Sequence, residues 1–164
     1  VKDMSYMFYF AQSFNKPLGN WNVYSVTDMS SMFASALVFN QEIDCWSVYN
    51  VKKMCYMFYN AKKFNQQLKF WHVQNVRDMT GMFYNAAAFN NRLNYWEIDK
   101  LKKVDFMFDG TLFEKKTNLS IDMPYWYLNV NNNFSNSESE LESDLESESE
   151  SESESESESE SGSE

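Results

Sequence analysis

The sequence is 164 residues long, with 18% aromatic residues, ten Met, four Gly, two Pro and a formal net charge of −10. That length allows one domain with an appendage, and the scarcity of Gly and Pro argues against a sandwich of tight hairpins. No run of 18 apolar residues reads as a transmembrane helix, and a single His with two cysteines in unlike contexts, Cys45 and Cys55, excludes a metal site and points to free thiols. The charge is uneven. All 14 Lys and Arg lie within residues 1–136 beside 11 acids, leaving that stretch near +3, and the other 13 acids fall between Glu138 and Glu164.

Four blocks of 25 residues follow one another without a gap: 1–25, 26–50, 51–75 and 76–100. A position within the block is called a slot. The first block opens without Met at slot 1, which reads as a fragment whose upstream repeats and any export signal lie outside the chain. Nothing in it resembles a polar cap, so a raw outer face, with end-to-end self-association there, is expected. The first half of each block, Val26-x-x-Met29-x-x-Met32-Phe33-x-x-Ala36 in the second, has three- and four-residue spacing that predicts a short helix. The second half, Ile43-x-x-Trp46-x-Val48, ends in alternation and predicts a short strand. Phe-Asn joins the halves at every level, and Asn15, Asn40, Asn65 and Asn90 are expected to form an amide ladder beside stacked Trp21, Trp46, Trp71 and Trp96. The acids Asp3, Asp28 and Asp78 stand where they would favour a helix start. Slot 6 alternates Tyr6, Ser31, Tyr56, Gly81 and Phe106, which suggests neighbouring rings leaning over small residues rather than a ligand site.

Residues 101–128 read as a decayed fifth copy. Phe113 arrives one place early, an insertion follows, and Met123-Pro124-Tyr125-Trp126-Tyr127-Leu128 again fits the strand pattern, with Pro124 closing the edge against further strands. From 129 to 164 Asn-rich sequence gives way to Ser-Glu alternation. Like charges would repel in either helix or strand, so a disordered acidic tail is expected, acting as a spacer and open to phosphorylation.

The unit V-x-x-M-x-x-MF-x-x-A-x-x-FN-x-x-L-x-x-W-x-V resembles the repeat of the BspA-like, leucine-rich-repeat-type bacterial surface proteins, in their Met-Phe/Trp-rich branch. The likeness is clean over 1–100 and loose over 101–128. It implies an α/β repeat: a right-handed solenoid of about five turns, each with a short helix and a short parallel strand. It also implies display at the cell surface or outside the cell, adhesion or partner binding, and no catalytic residues or cofactor.

On that frame the strand slots facing away from the core are the candidate recognition face: Asn20, Cys45, Phe70 and Tyr95; Asn22, Ser47, His72 and Glu97; Tyr24, Tyr49, Gln74 and Asp99. Mixed aromatic and polar groups suit a protein or glycan partner. His72 has no recurrent companion, so no catalytic site is expected, and no basic stripe is apparent to favour nucleic acid. The alternative reading is a cytoplasmic interaction scaffold with a phosphorylatable tail.

Overall fold

Backbone bonding in the repeats follows a rule of alternation. The N–H groups of slots 4, 6, 8 and 10 donate to carbonyls of the following repeat, as in Met54 to Asp78, Tyr56 to Thr80, Phe58 to Met82 and Asn60 to Tyr84, at 2.7–3.0 Å. The N–H groups of slots 7, 9 and 11 turn back three residues within their own repeat: Met57 to Met54, Tyr59 to Tyr56, Ala61 to Phe58. The first half of each repeat is therefore a chain of overlapping β-turns that is also bonded edge to edge with its neighbour. The computed structural model describes residues 1–116 and 123–130, which belong to one unit, Val1–Val130. Parallel bridges at slot 3 tie Asp3 to Asp28, Asp28 to Lys53, Lys53 to Asp78 and Asp78 to Lys103.

The α/β expectation is overturned. None of the four repeats over 1–100 carries a helix or a strand, and the helical segments among the described residues are α1, Leu112–Lys116, and α2, residues 125–130, at the end of the fifth. The reason lies at slots 6 and 10. Their backbones are left-handed, with φ between +55° and +59° at Tyr6, Phe10, Ser31, Ser35, Tyr56, Asn60, Asn85 and Phe106, and positive also at Gly81 and Gly110. Two left-handed residues four positions apart in each first half end a right-handed helix before it can form. Three- and four-residue spacing puts side chains on one side of a turn chain as it does on a helix, so the pattern alone did not separate the two. The acids correct in the same way. Asp3, Asp28 and Asp78 accept from the backbone N–H two residues on, at 2.8–2.9 Å, closing Asx turns rather than capping helices.

The core is a set of ring columns. Phe8, Phe33, Phe58, Phe83 and Phe108 stack at 5.3–6.0 Å between centroids, and Phe14, Phe39, Phe64 and Phe89 at 6.0–6.3 Å. The columns touch within each repeat at 3.8–4.2 Å. The Trp column runs Trp46, Trp71, Trp96 and Trp126, at 6.5, 6.5 and 6.0 Å. Each indole Nε1–H donates to a carbonyl of the preceding repeat: Leu18, Ile43, Leu68 and Leu93, at 2.9–3.1 Å. Trp21 stands apart from this column, 38% exposed against 2–3% for Trp46, Trp71 and Trp96, with Phe8 as its ring neighbour.

The fifth repeat ends in helices. Thr111 replaces the buried Ala of slot 11, its hydroxyl accepting from the Glu114 N–H at 3.0 Å while Glu114 Oε2 accepts from Gly110 N at 2.7 Å. This Thr-x-x-Glu box starts α1, a sequence signal overlooked in the pattern reading. The expected strand at 123–128 is instead a helical turn: Tyr127 and Leu128 donate to the Pro124 carbonyl, and Pro124 sits at its start, where its missing N–H costs nothing. Trp126 still reaches the column. Of the insertion expected at 114–122, residues 114–116 fall in α1 and 117–122 lie outside the described residues; of the tail expected from 129, residues 129 and 130 end α2 and those from 131 lie outside the described residues.

Candidate functional site

The repeats separate invariant buried slots from variable exposed ones. In the second half the apolar slots 18 and 23 point inward, while slots 20, 22 and 24 lie open. Asn20, Cys45, Phe70 and Tyr95 form one exposed row; Asn22, Ser47, His72 and Glu97 a second; Tyr24, Tyr49 and Asp99 a third, with Gln74 half-buried. Phe70 is 65% exposed, with Lys69 Nζ 5.5 Å from its ring centre. The Phe70 N–H donates to Asp44 Oδ1 at 2.8 Å. Gln74 Nε2 donates to Glu97 Oε2 at 3.2 Å, and Gln74 Oε1 is buried without a hydrogen-bond partner. Cys45 Sγ donates to the Gly19 carbonyl at 3.2 Å, so that thiol is free. Burial pushes the other free thiol, Cys55, up from its usual range, against the opposing hydrogen bond to Ser30 Oγ.

Beside the slot-20 row runs a polar groove in two sections that share Glu42, Cys45 and Gln66. The larger, about 570 Å³, is further lined by Asp44, Asn65, Gln67, Phe70 and Asn91. The amide ladder forms its wall. Asn15, Asn40 and Asn65 each accept, through Oδ1, from the backbone N–H of Asn40, Asn65 and Asn90, all at 2.9 Å. Gln41, Gln66 and Asn91 add side-chain amide bonds to the same three oxygens at 2.9–3.0 Å. The side-chain carbonyl oxygens of Asn15, Asn40 and Asn65 are thus consumed by the fold, whereas side chains of slots 17, 19 and 20 (Glu42, Asp44, Cys45 and Phe70 among them) face the groove.

A second charged feature escaped the sequence reading. Slots 2 and 3 bring Lys52, Lys53, Arg77, Lys102 and Lys103 around one shallow groove of about 260 Å³, with Asp78 among them. Scanning each slot down the repeats would have shown it, because slot 2 reads Lys2, Thr27, Lys52, Arg77, Lys102. The body therefore does carry a short basic stripe. Lys53 is also 3.4 Å from Asp28.

The slot-6 rings settle between the two readings given for them. Tyr56 does lean over the small residue of the next repeat: a β-carbon on Gly81 would meet its ring at 2.5 Å. Yet Tyr6, Tyr56 and Phe106 are 60%, 41% and 60% exposed, so burial does not explain the rings.

With this geometry in view, the family model for Mycoplasma proteins of unknown function, DUF285, matches residues 2–126, well over half of the chain. The chain belongs to the DUF285 family. This is consistent with a BspA-like repeat family, but it does not carry the narrower leucine-rich-repeat assignment, which the absence of strands among the described residues also does not support. No curated protein and no solved structure matches the chain. Among the described residues of this DUF285 member, no helix is long and apolar enough to cross a membrane.

Proposed function

We propose that this DUF285 chain is a surface-displayed, adhesion-type repeat module that binds a macromolecular partner through slots 20, 22 and 24 and the polar groove beside them, without catalysis. The observation that carries the reading is the contrast between slots. Positions 4, 8, 14 and 21 keep one residue type through the first four repeats, whereas slots 20 and 22 change at each level, slot 24 changes from the third repeat on, and Tyr24, Tyr49, Phe70 and Tyr95 are left open to solvent. Large amphipathic rings held at low entropic cost are the groups that anchor partners. The groove adds amides, two carboxylates and the exposed face of Phe70. That combination favours a glycan, whose hydroxyls pair with amides and carboxylates and whose apolar ring face lies on an aromatic one.

The test is a glycan array probed with the wild-type protein and with a variant carrying Tyr24→Ser, Tyr49→Ser, Phe70→Ser and Tyr95→Ser. These side chains are exposed, so the fold is expected to persist by circular dichroism. A glycan retained by wild type and lost by the variant supports the reading; undiminished retention by the variant removes these slots as the binding face.

A further inference from the structure

Away from slots 20 to 24, the turn chains of repeats three to five carry a different kind of site. Tyr56, Tyr59, Tyr84 and Phe106 line a cleft of about 370 Å³, and Asp109 completes its wall among the described residues. Tyr59 and Tyr84 are parallel at 5.4 Å, and Tyr56 stands edge-on to Tyr59 at 6.0 Å. The opening exists because slot 6 of the fourth repeat is Gly81. It places no side chain between Tyr56, one repeat before, and Phe106, one repeat after. Adjacent paired segments lie about 4.8 Å apart, so the backbones of those two residues are separated by about 9.6 Å. The Tyr56 ring leans into the room over Gly81, 2.5 Å from where a β-carbon would stand, and a compact cation resting in the cleft comes within about 6 Å of a ring face, the range in which the face attracts positive charge.

Two further observations point to a cation. Among the described residues no Lys or Arg lines the cleft, and the Asp109 carboxylate has no hydrogen bond or ion pair to another of them. Burial, and then the neighbouring Glu114, hold its carboxyl above the usual range. Ring surface is also available to a ligand, with Phe106 60% and Tyr56 41% exposed. The equivalent slots of repeats one and two hold Tyr6, Tyr9, Ser31 and Ala34 and no acid.

We infer that the Tyr56–Tyr59–Tyr84–Phe106 cleft, closed by Asp109, binds the trimethylammonium group of a choline-type ligand. Methyl groups on the nitrogen pack on the ring faces, the diffuse charge is drawn to them, and Asp109 pairs with it from the rim. A neutral sugar could lie on the same rings but would leave Asp109 unpaired.

The experiment titrates the full chain with choline chloride, following tyrosine fluorescence and ring proton shifts, against sodium chloride at equal ionic strength. 3,3-Dimethylbutanol, the uncharged isostere of choline, is titrated in parallel. Saturable choline binding in the millimolar range is expected, with the isostere at least about tenfold weaker. Asp109→Asn, which keeps the shape, is expected to weaken choline about fivefold or more, and Phe106→Ser to abolish saturation while the circular dichroism spectrum is retained. Equal affinity for the isostere, or Asp109→Asn binding as tightly as wild type, overturns the assignment. So does an absence of saturable choline binding in the wild type, or preferential shifts with glucose in a third arm.

Discussion

Trp71→Ala is the substitution that weighs the column of indoles most directly. The Trp71 ring is stacked on both sides, at 6.5 Å from Trp46 and from Trp96, is 3% exposed, and donates its Nε1–H to the buried Ile43 carbonyl at 2.9 Å. Truncating a buried Trp costs about 3–5 kcal/mol through lost transfer energy and the remaining cavity. Leaving the Ile43 carbonyl without its donor adds about 1–3 kcal/mol where water does not enter, so a total of about 4–8 kcal/mol is expected. That is a large share of the stability of a domain this size. Trp21→Ala is the internal control. Its ring lies outside the column, so about 1–2 kcal/mol is expected from the half-covered surface alone. Equilibrium urea unfolding followed by far-ultraviolet circular dichroism measures both without relying on indole emission. If Trp21→Ala costs as much as Trp71→Ala, or Trp71→Ala costs under about 2 kcal/mol, the column does not hold the repeats together.

Three other outcomes follow from the same geometry. Asn65→Ala removes the acceptor of both the Asn90 N–H and the Asn91 side-chain amide, and should cost about 1–3 kcal/mol in urea unfolding, whereas Asn90→Ala, whose Oδ1 receives nothing among the described residues, should cost less. Gly81→Ala places a β-carbon 2.5 Å from the Tyr56 ring at φ +56°, so it should destabilise by about 1–3 kcal/mol, and the double variant with Tyr56→Ala should recover the clash but not the backbone strain. Burial, reinforced by Asp109, Glu114 and Asp105, pushes the Tyr127 hydroxyl up to about 12. A folded-state value above the unfolded one near 10 stabilises fully below pH 10 and is lost as pH rises from there toward 12. Alkaline titration of stability should therefore show a loss on the order of 1–2 kcal/mol over that window, after screening, and Tyr127→Phe, which keeps the ring against Phe108, should remove it.

Much of the core could be read from the chain because burial depends on spacing, and spacing survives whatever the backbone does between the apolar positions. Met29, Met32, Phe33, Ala36, Phe39, Ile43, Trp46 and Val48 are all buried, as their recurrence implied. What the spacing concealed was conformation. Tyr6, Tyr56 and Phe106 are poor sequence signals for a left-handed backbone, and only Gly81, Gly110, Asn60 and Asn85 at slots 6 and 10 hinted that the chain turns there. The exposed rows at slots 20 to 24 were legible by alternation. The groove beside them was not, since Glu42 of slot 17 and Gln66 and Asn91 of slot 16 come from three different repeats and meet only once the repeats are placed in register. The aromatic cleft was hidden for a related reason: its acid, Asp109, stands in a slot that holds Tyr59 and Tyr84 in the two preceding repeats.

The alternation of hydrogen bonds also explains why the array changes character at one end. Each repeat hands the N–H groups of slots 4, 6, 8 and 10 to the carbonyls of the repeat that follows, so growth in that direction always leaves four donors in need of acceptors. In the fifth repeat the slot-10 donor, Gly110, no longer meets another repeat and is taken instead by the Glu114 carboxylate. Beyond it α1 and α2 satisfy part of their backbone internally, as helices do and turn chains do not. The substitution of Thr111 for the buried Ala of slot 11 is what allows the change, because its hydroxyl both donates to the Phe108 carbonyl at 2.6 Å and accepts from Glu114 N. An array closed by Thr111 and Glu114 depends on two side chains at one level. Thr111→Ala with Glu114→Ala should therefore loosen residues 112–116 and the Trp126 contact before the middle repeats, seen as faster amide hydrogen exchange there. Uniform acceleration across all repeats would instead mean that the helices add nothing as a cap.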